Sequence, residues 1–321
     1  MNTVLITGAE GFVGRQLVPS MHDAGVSVVA VVRQNYTHGL VGVKTVSVGD
    51  LREWNDWRAT LTNVDAVVHL AARAHVIIER ARDPLEAFRD TNVKPTLALF
   101  KSCQTAGVKR FVFVSTIGVN GVSTHGGPFR DGDVPSPTEP YAVSKWETEQ
   151  ALSALALGGA TELVIVRPTL IYGPGAKGNF LRLMRLVRSG WPLPLGAVCA
   201  RRHILSVSSF CDLLVRCTHH KAAAGQIFLA ADRRPILTRD LVITIADLMK
   251  RRARLVRISP WILARMGHIS GFGVEIDRLI ASLEVDSSRA LELLDWSGDE
   301  NVDRDMKGMV DEFLGTHHVH R

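Results

Sequence analysis

Six short apolar runs rich in valine and isoleucine recur along the first half of the chain: TVLIT, VSVVAVV, KTVSV, DAVVHLA, RFVFVST and ELVIVRP. Segments of helical periodicity separate them. Within each run the apolar positions are nearly continuous instead of alternating, the pattern of strands covered on both faces. Strands that alternate with helices predict a doubly wound parallel sheet, an α/β fold. After RPTLIYGPGAKG the pattern changes to a helix (FLRLMRLVRSG), a proline-rich stretch (WPLPLG) and mixed short elements. The chain therefore divides into residues 1–170, which build the sheet, and a smaller mixed α/β region at 171–321. The stretch ILSVSSFCDLLVRCT reads as a strand followed by a helix and predicts a return to the sheet near 203–220.

With 321 residues, 46% of them hydrophobic and 22% charged, the chain is long enough to bury a large core. No window of 18 uninterrupted apolar residues occurs, and MNTVLITGAEGF enters a strand and turn without a basic leader, so the expectation is a cytoplasmic protein with no membrane partner. Cys103, Cys199, Cys211 and Cys217 show no C-x-x-C spacing and read as reduced, mostly buried thiols, with no metal site. The net charge of +6 is compatible with nucleic acid or with an anionic small ligand. Its densest cluster, KRRARLVR at Lys250–Arg257, lacks interleaved aromatics and reads as a solvated helix end, so no nucleic-acid partner is expected. His317, His318 and His320 in the tail read as part of a frayed terminus.

Directly after the first predicted strand, TGAEGFVGRQL places Gly8, Gly11 and Gly14 at the opening of a helix. A tight turn calls for Gly8, backbone approach to a pyrophosphate for Gly11, and close helix–strand packing for Gly14. With Phe12 and Val13 between them, these residues form a Rossmann-type dinucleotide loop, although the spacing is one residue longer than the usual fingerprint. Pro19 within the following helix predicts a kink. The second strand ends at Val32 and is followed by Arg33, where sites selective for NAD carry a carboxylate. A guanidinium there suits a 2′-phosphate, so NADP(H) is favoured over NAD(H). Asp50 and Leu51, after the third strand, are placed to meet the adenine.

The stretch YAVSK sets Tyr141 and Lys145 four residues apart, on one face of a helix that begins behind Pro140. An ammonium beside a phenol favours phenolate, so the pair predicts a tyrosine titrating below its usual value and acting as a general acid/base.

The glycine loop, HLAARAH, VSTIGVNG, YAVSK and RPTLIYGPG, in this order, resemble the extended short-chain dehydrogenase/reductase family that modifies nucleotide sugars. The resemblance spans nearly the whole chain and is strongest over residues 1–180. It implies that Tyr141 is the acid/base, that Lys145 binds the nicotinamide ribose, and that Thr116, beside Ser115, orients the C4 oxygen of the sugar. It also implies that Leu70, Ala71, Ala72 and Pro168 line the cofactor and that Asn92 fixes nearby backbone, with Pro95 replacing the family's usual glycine. For the UDP-sugar it implies contacts from Asn179, Pro194, Leu195, Arg202 and Arg278, while Ser209 departs from a common aspartate. A homodimer through helices at 84–104 and 140–157 is the family expectation. Thr116 is followed by Ile117 and Gly118 instead of the Asp-Glu pair of the 4,6-dehydratases, leaving a 4-ketoreductase or a 4-epimerase. The LAARAH and VDSSRA stretches resemble the reductases that finish UDP-N-acetyl-6-deoxyhexosamines for surface polysaccharide.

Overall fold

The computed structural model describes residues 2–34, 36–54, 56–74, 83–271, 273–299 and 303–315. Seven parallel strands form its central sheet: β1 (Thr3–Thr7), β2 (Ser27–Val32), β3 (Lys44–Ser47), β4 (Ala66–His69), β5 (Arg110–Val114), β6 (Glu162–Pro168) and β7 (Ile227–Ala230). Their spatial order is β7-β6-β5-β4-β1-β2-β3. The first six coincide with the six apolar runs. The chain winds outward from β1 to β3 and then resumes on the other side at β4, so a crevice opens above the carboxyl ends of β1 and β4.

Because successive side chains of a strand point to opposite faces, a continuous apolar run supplies two cores. Val4, Ile6, Val28, Ala30, Val68 and Val112 pack on one face with Leu17 and Met21 of the helix Phe12–Asp23 and with Phe210, Leu213 and Leu214 of the helix Val207–His219. Leu5, Val29, Val67, Phe111 and Phe113 pack on the other with Leu99, Phe100 and Leu152. A separate core, built from Phe180, Met184, Ile245, Met306 and Val310, organises the later part of the chain.

The segment predicted to rejoin the sheet near 203–220 supplies a short strand, Ile204–Ser206, that pairs with Leu170–Tyr172 outside the main sheet. The return itself comes later, at β7. Ser206 caps the helix that follows, its hydroxyl accepting from Ser209 N at 3.1 Å. Pro19 does not break its helix, which runs on to Asp23, and Ser20 Oγ bonds the Gln16 carbonyl at 2.8 Å in that turn. Burial pushes the Cys211 and Cys217 thiols up to about 12, and Cys103 is buried as well. The tail histidines lie outside the described residues.

The glycine loop is shaped by contact. Gly8 adopts φ +69°, and a Cβ there would lie 2.9 Å from Ala71 N. A Cβ on Gly14 would lie 2.3 Å from Gly8 O and 2.6 Å from Ala9 Cα, so the helix can meet the strand this closely only without a side chain. Gly14→Ala is therefore expected to lose at least ~1–3 kcal/mol of stability, the range for overpacking a close contact, measured by urea unfolding.

Candidate active site

Almost all the predicted cofactor residues meet at the carboxyl edge of the sheet. The glycine loop follows β1, Arg33 follows β2, Asp50 lies beyond β3, Leu70–Ala72 follow β4, Ser115 and Thr116 follow β5, and Pro168 ends β6. Gly11 enters the first helix with no side-chain cap, leaving its first-turn N–H groups for an anion. Phe12 and Val13 pack against the large core, and the Phe12 ring faces Gly175.

A chain of hydrogen bonds ties the glycine loop to the segment carrying Asn92. Ala71 N donates to Thr7 Oγ1 at 3.3 Å, Thr7 Oγ1 meets His69 Nδ1 at 2.8 Å, and His69 Nε2 meets Thr96 Oγ1 at 2.8 Å. Thr96 Oγ1 in turn donates to the Asn92 carbonyl at 2.5 Å. With its proton committed there, Thr96 accepts from His69, which puts a hydrogen on Nε2, and a neutral ring then accepts from Thr7 at Nδ1. Burial between Phe111 and Phe113 enforces that state, pushing His69 down to about 3. The Asn92 amide grips the backbone of Arg73, accepting from its N at 2.8 Å and donating to its O at 3.2 Å. Pro95 is accommodated because Arg89–Val93 forms a π-turn ahead of the helix Lys94–Ala106.

Tyr141 and Lys145 lie in the first turns of the helix Pro140–Ala156. Lys145 is buried, donates to the Val114 carbonyl at 2.7 Å and sits 4.5 Å from the centre of the Phe113 ring. The Tyr141 ring packs 5.8 Å from that of Phe88. Thr116 starts a short 3₁₀ turn, its Oγ1 accepting from Gly118 N at 3.2 Å.

The expected lowering of the phenol is reversed. Burial pushes Tyr141 up to about 12 and Lys145 down to about 7, the latter opposed by the charge of Glu149. The spacing on the helix is as predicted, but depth outweighs it: Tyr141 is half-buried, Lys145 is buried, and the ammonium spends a donor on a carbonyl.

Beneath this pair lies a cluster the sequence reading did not single out. Arg167, 1% exposed, donates from Nε to both Glu149 oxygens at 3.0 and 3.2 Å, and from Nη1 to Asn120 Oδ1 at 2.9 Å. The signal was present as an arginine inside the apolar run ELVIVRP and a glutamate four residues after Lys145. The hydroxyls of Ser115 and Thr169, at the ends of β5 and β6, are buried without a hydrogen-bond partner.

After β2, Arg33 is exposed, and its carbonyl accepts from Gly49 N at 3.0 Å. Asp50 is held by Arg52, whose backbone N and Nε reach Oδ1 at 2.9 and 3.1 Å. Hydrogen bonds from Arg52 and the nearby charge of Arg33 bring Asp50 down to about 2. Leu51 packs partly into the second face of the sheet core.

Of the predicted substrate residues, Asn179 is exposed at the start of the helix Asn179–Ser189, Pro194 is half-buried, and the Leu195 side chain belongs to the separate core. Arg202 Nη1 donates to the carbonyls of Arg278 and Ala281, at 2.5 and 2.9 Å. Arg278 forms an ion pair with Glu139, the residue that caps the Tyr141 helix. The two arginines thus meet across the chain, beside the start of the helix Pro140–Ala156. A cleft of about 600 Å³ between Phe12, Gly175, Met184 and Phe313 opens beside the glycine loop and includes neither Tyr141 nor Thr116.

The model of the NAD dependent epimerase/dehydratase family matches residues 4–231. The chain belongs to this family. Over 317 residues it is 38% identical to a UDP-glucose 4-epimerase from Vibrio cholerae, covering 97% of this chain and 95% of that protein. It is 24% identical over 271 residues to an N-acetyl-alpha-D-glucosaminyl-diphospho-ditrans,octacis-undecaprenol 4-epimerase from Escherichia coli O157:H7, covering 83% and 78%. The solved structure of MoeE5 in complex with UDP-glucose and NAD is 25% identical with a TM-score of 0.77, covering 98% of this chain and 100% of that one. The protein is therefore an enzyme of this family, with the Rossmann-type sheet that its strand order displays.

The position of Lys145 has a measurable consequence. Its amine titrates near 7 in the folded chain and near 10.5 when unfolded, so between these values the unfolded chain holds the extra proton. Stability of the ligand-free enzyme should rise from pH 7 towards pH 10, and Lys145→Met should flatten that rise. Urea midpoints collected across this range for both proteins provide the check.

Proposed function

We propose that the protein is an NAD(P)-dependent oxidoreductase acting at C4 of a UDP-sugar, and that it reduces a UDP-4-keto-6-deoxy-N-acetylhexosamine for surface polysaccharide. The redox reading is supported by Lys145 reaching the Val114 carbonyl at the end of β5, two residues before Thr116, with Tyr141 one turn earlier on the same helix and the glycine-loop helix uncapped after β1. A dinucleotide fits this edge: the uncapped first turn behind Gly11 offers backbone N–H groups to a pyrophosphate, and the orphaned hydroxyls of Ser115 and Thr169 are partners for its polar groups. When bound, the nicotinamide supplies the hydride that reaches C4.

The chain's own residues handle the proton. Thr116 Oγ1 points the C4 oxygen, Tyr141 gives that oxygen its proton as the carbonyl becomes an alcohol, and Lys145 holds a ribose hydroxyl while its ammonium stabilises the phenolate left behind. Arg202 and Arg278 suit a diphosphate, the group shared by the sugars named for both relatives. Exposed Arg33, with the nearby Asp50 carboxylate already neutralised by Arg52, supports NADP(H) over NAD(H). A preference for NADP(H) favours the reductase, which consumes its cofactor in each turnover. The 38% identical relative supports the second reading, a UDP-glucose or UDP-N-acetylglucosamine 4-epimerase that keeps its cofactor.

Tyr141→Phe retains the ring and its packing but removes the proton, so kcat should fall at least ~10²-fold with cofactor binding kept. Near wild-type turnover would rule out the assignment. Stoichiometry separates the two readings: the reductase oxidises one NADPH per 4-keto sugar, whereas the epimerase interconverts the C4 epimers with no net change in nicotinamide absorbance. Following absorbance and sugar product together decides between them. NADPH should bind more tightly than NADH, and Arg33→Ser should narrow the gap; equal affinities in the wild type would show that Arg33 does not select the cofactor.

A further inference from the structure

Residues 249–274 contain six Lys or Arg and no Asp or Glu, a surplus equal to the net charge of the entire chain. Lys250, Arg251, Arg252, Arg254 and Arg257 are exposed on the segment that follows the helix Thr238–Leu248, and Arg265 is exposed on the next helix, Pro260–Ser270. Among the described residues none of these six side chains forms an ion pair; Arg251 instead donates to the Arg188 carbonyl at 3.0 Å.

The Pro260–Ser270 helix is reversed in polarity. Its inward residues, Leu263 and Gly267, pack towards the separate core, and a Cβ on Gly267 would lie 2.8 Å from Ile276 of the helix Gly273–Ile280. Its outward residues are Trp261, Ile262, Arg265, Met266 and Ile269, which span an arc of roughly 140° at the helical period. Trp261 is 67% exposed and Ile269 is 80% exposed. Trp191, next to the pairing of Leu193 with Leu255, is 73% exposed.

We propose that this surface docks the enzyme onto an anionic phospholipid membrane, with the outward arc of the Pro260–Ser270 helix entering the interface and the 250–257 segment lying against the headgroups. Exposed tryptophan and aliphatic side chains flanked by unpaired arginines are the composition of an interfacial helix. Charge selects the occupant. A second copy meeting the same face would bring two uncompensated clusters of six cations together, and a nucleic acid offers Ile262, Met266 and Ile269 nothing apolar to enter. No helix among the described residues is long and apolar enough to cross a membrane, so the association is peripheral. It revises the reading of 250–257 as a solvated helix end. Docking there sets the helix Gly273–Ile280, with Arg278 on it, directly behind the lipid surface.

The test is co-sedimentation of the full chain with vesicles of mixed phosphatidylglycerol and phosphatidylcholine, against vesicles of phosphatidylcholine alone. Binding is expected to the anionic vesicles and to weaken as salt is raised. Arg252→Gln/Arg254→Gln/Arg257→Gln should weaken it by roughly 10²-fold, and Trp261→Ser/Ile269→Ser by at least about tenfold. Because these positions are exposed, both variants should keep the wild-type thermal midpoint and turnover of a soluble substrate. Failure to bind anionic vesicles at low salt overturns the proposal, as does binding that neither variant weakens. Self-association or DNA binding that the variants abolish, without vesicle binding, reassigns the surface to a second copy or to nucleic acid.

Discussion

The buried contact of Arg167 with Glu149 and Asn120 fixes where three elements of the candidate active site meet. Glu149 belongs to the helix that carries Tyr141 and Lys145, Arg167 to β6 immediately before Pro168, and Asn120 to the turn that begins at Thr116. Such a pair adds little net stability, because desolvating two charges offsets most of their attraction. Removing one partner is another matter, costing ~3–5 kcal/mol through the charge left behind. The arrangement therefore acts as a constraint on geometry: a helix, a strand and a loop remote in sequence are held in one relation. It also explains why the Lys145 amine falls to about 7 with a carboxylate one turn away, since Glu149 is already engaged by a guanidinium.

Much of the nucleotide half was legible in the sequence, because its signals are local. Continuous valine and isoleucine runs name strands buried on both faces, and three glycines after the first of them name the loop. What escaped was set by packing. β7 consists of IFLA, too short to stand out from the turns around it. His69 looked like the last residue of an apolar strand, yet its position between two phenylalanines and two threonines gives it a role of its own. The Tyr141–Lys145 spacing was visible, but periodicity reports which face a residue occupies and not how deeply that face is buried, so the direction of the phenol's shift could not be read from it.

The later region was less legible for the same reason carried further. Its organising contacts join segments far apart in the chain: Thr124 N bonds Ser282 O at 2.8 Å, Phe129 N bonds Glu284 O at 2.8 Å, and His203 N bonds Leu283 O at 2.9 Å. One short stretch, 282–286, is thus clasped by the loop after β5 on one side and by the strand containing Arg202 on the other. No periodic pattern encodes such a junction. Leu195 illustrates the result, since a residue in a proline-rich loop turns out to fill a core.

The Ala71–Thr7–His69–Thr96–Asn92 chain has a sense of direction, because each hydroxyl and the ring receive on one side and give on the other. A vector of this kind admits only one replacement logic. A substitute at position 69 must bridge the two threonines, taking a hydrogen from the first and offering one to the second, which excludes every aliphatic residue and every side chain that only donates. Even the imidazole itself keeps this direction in only one of its two neutral forms. Moved to Nδ1, its hydrogen would oblige Thr7 to accept from both neighbours and Thr96 to release the Asn92 carbonyl, reversing the chain without any change of sequence.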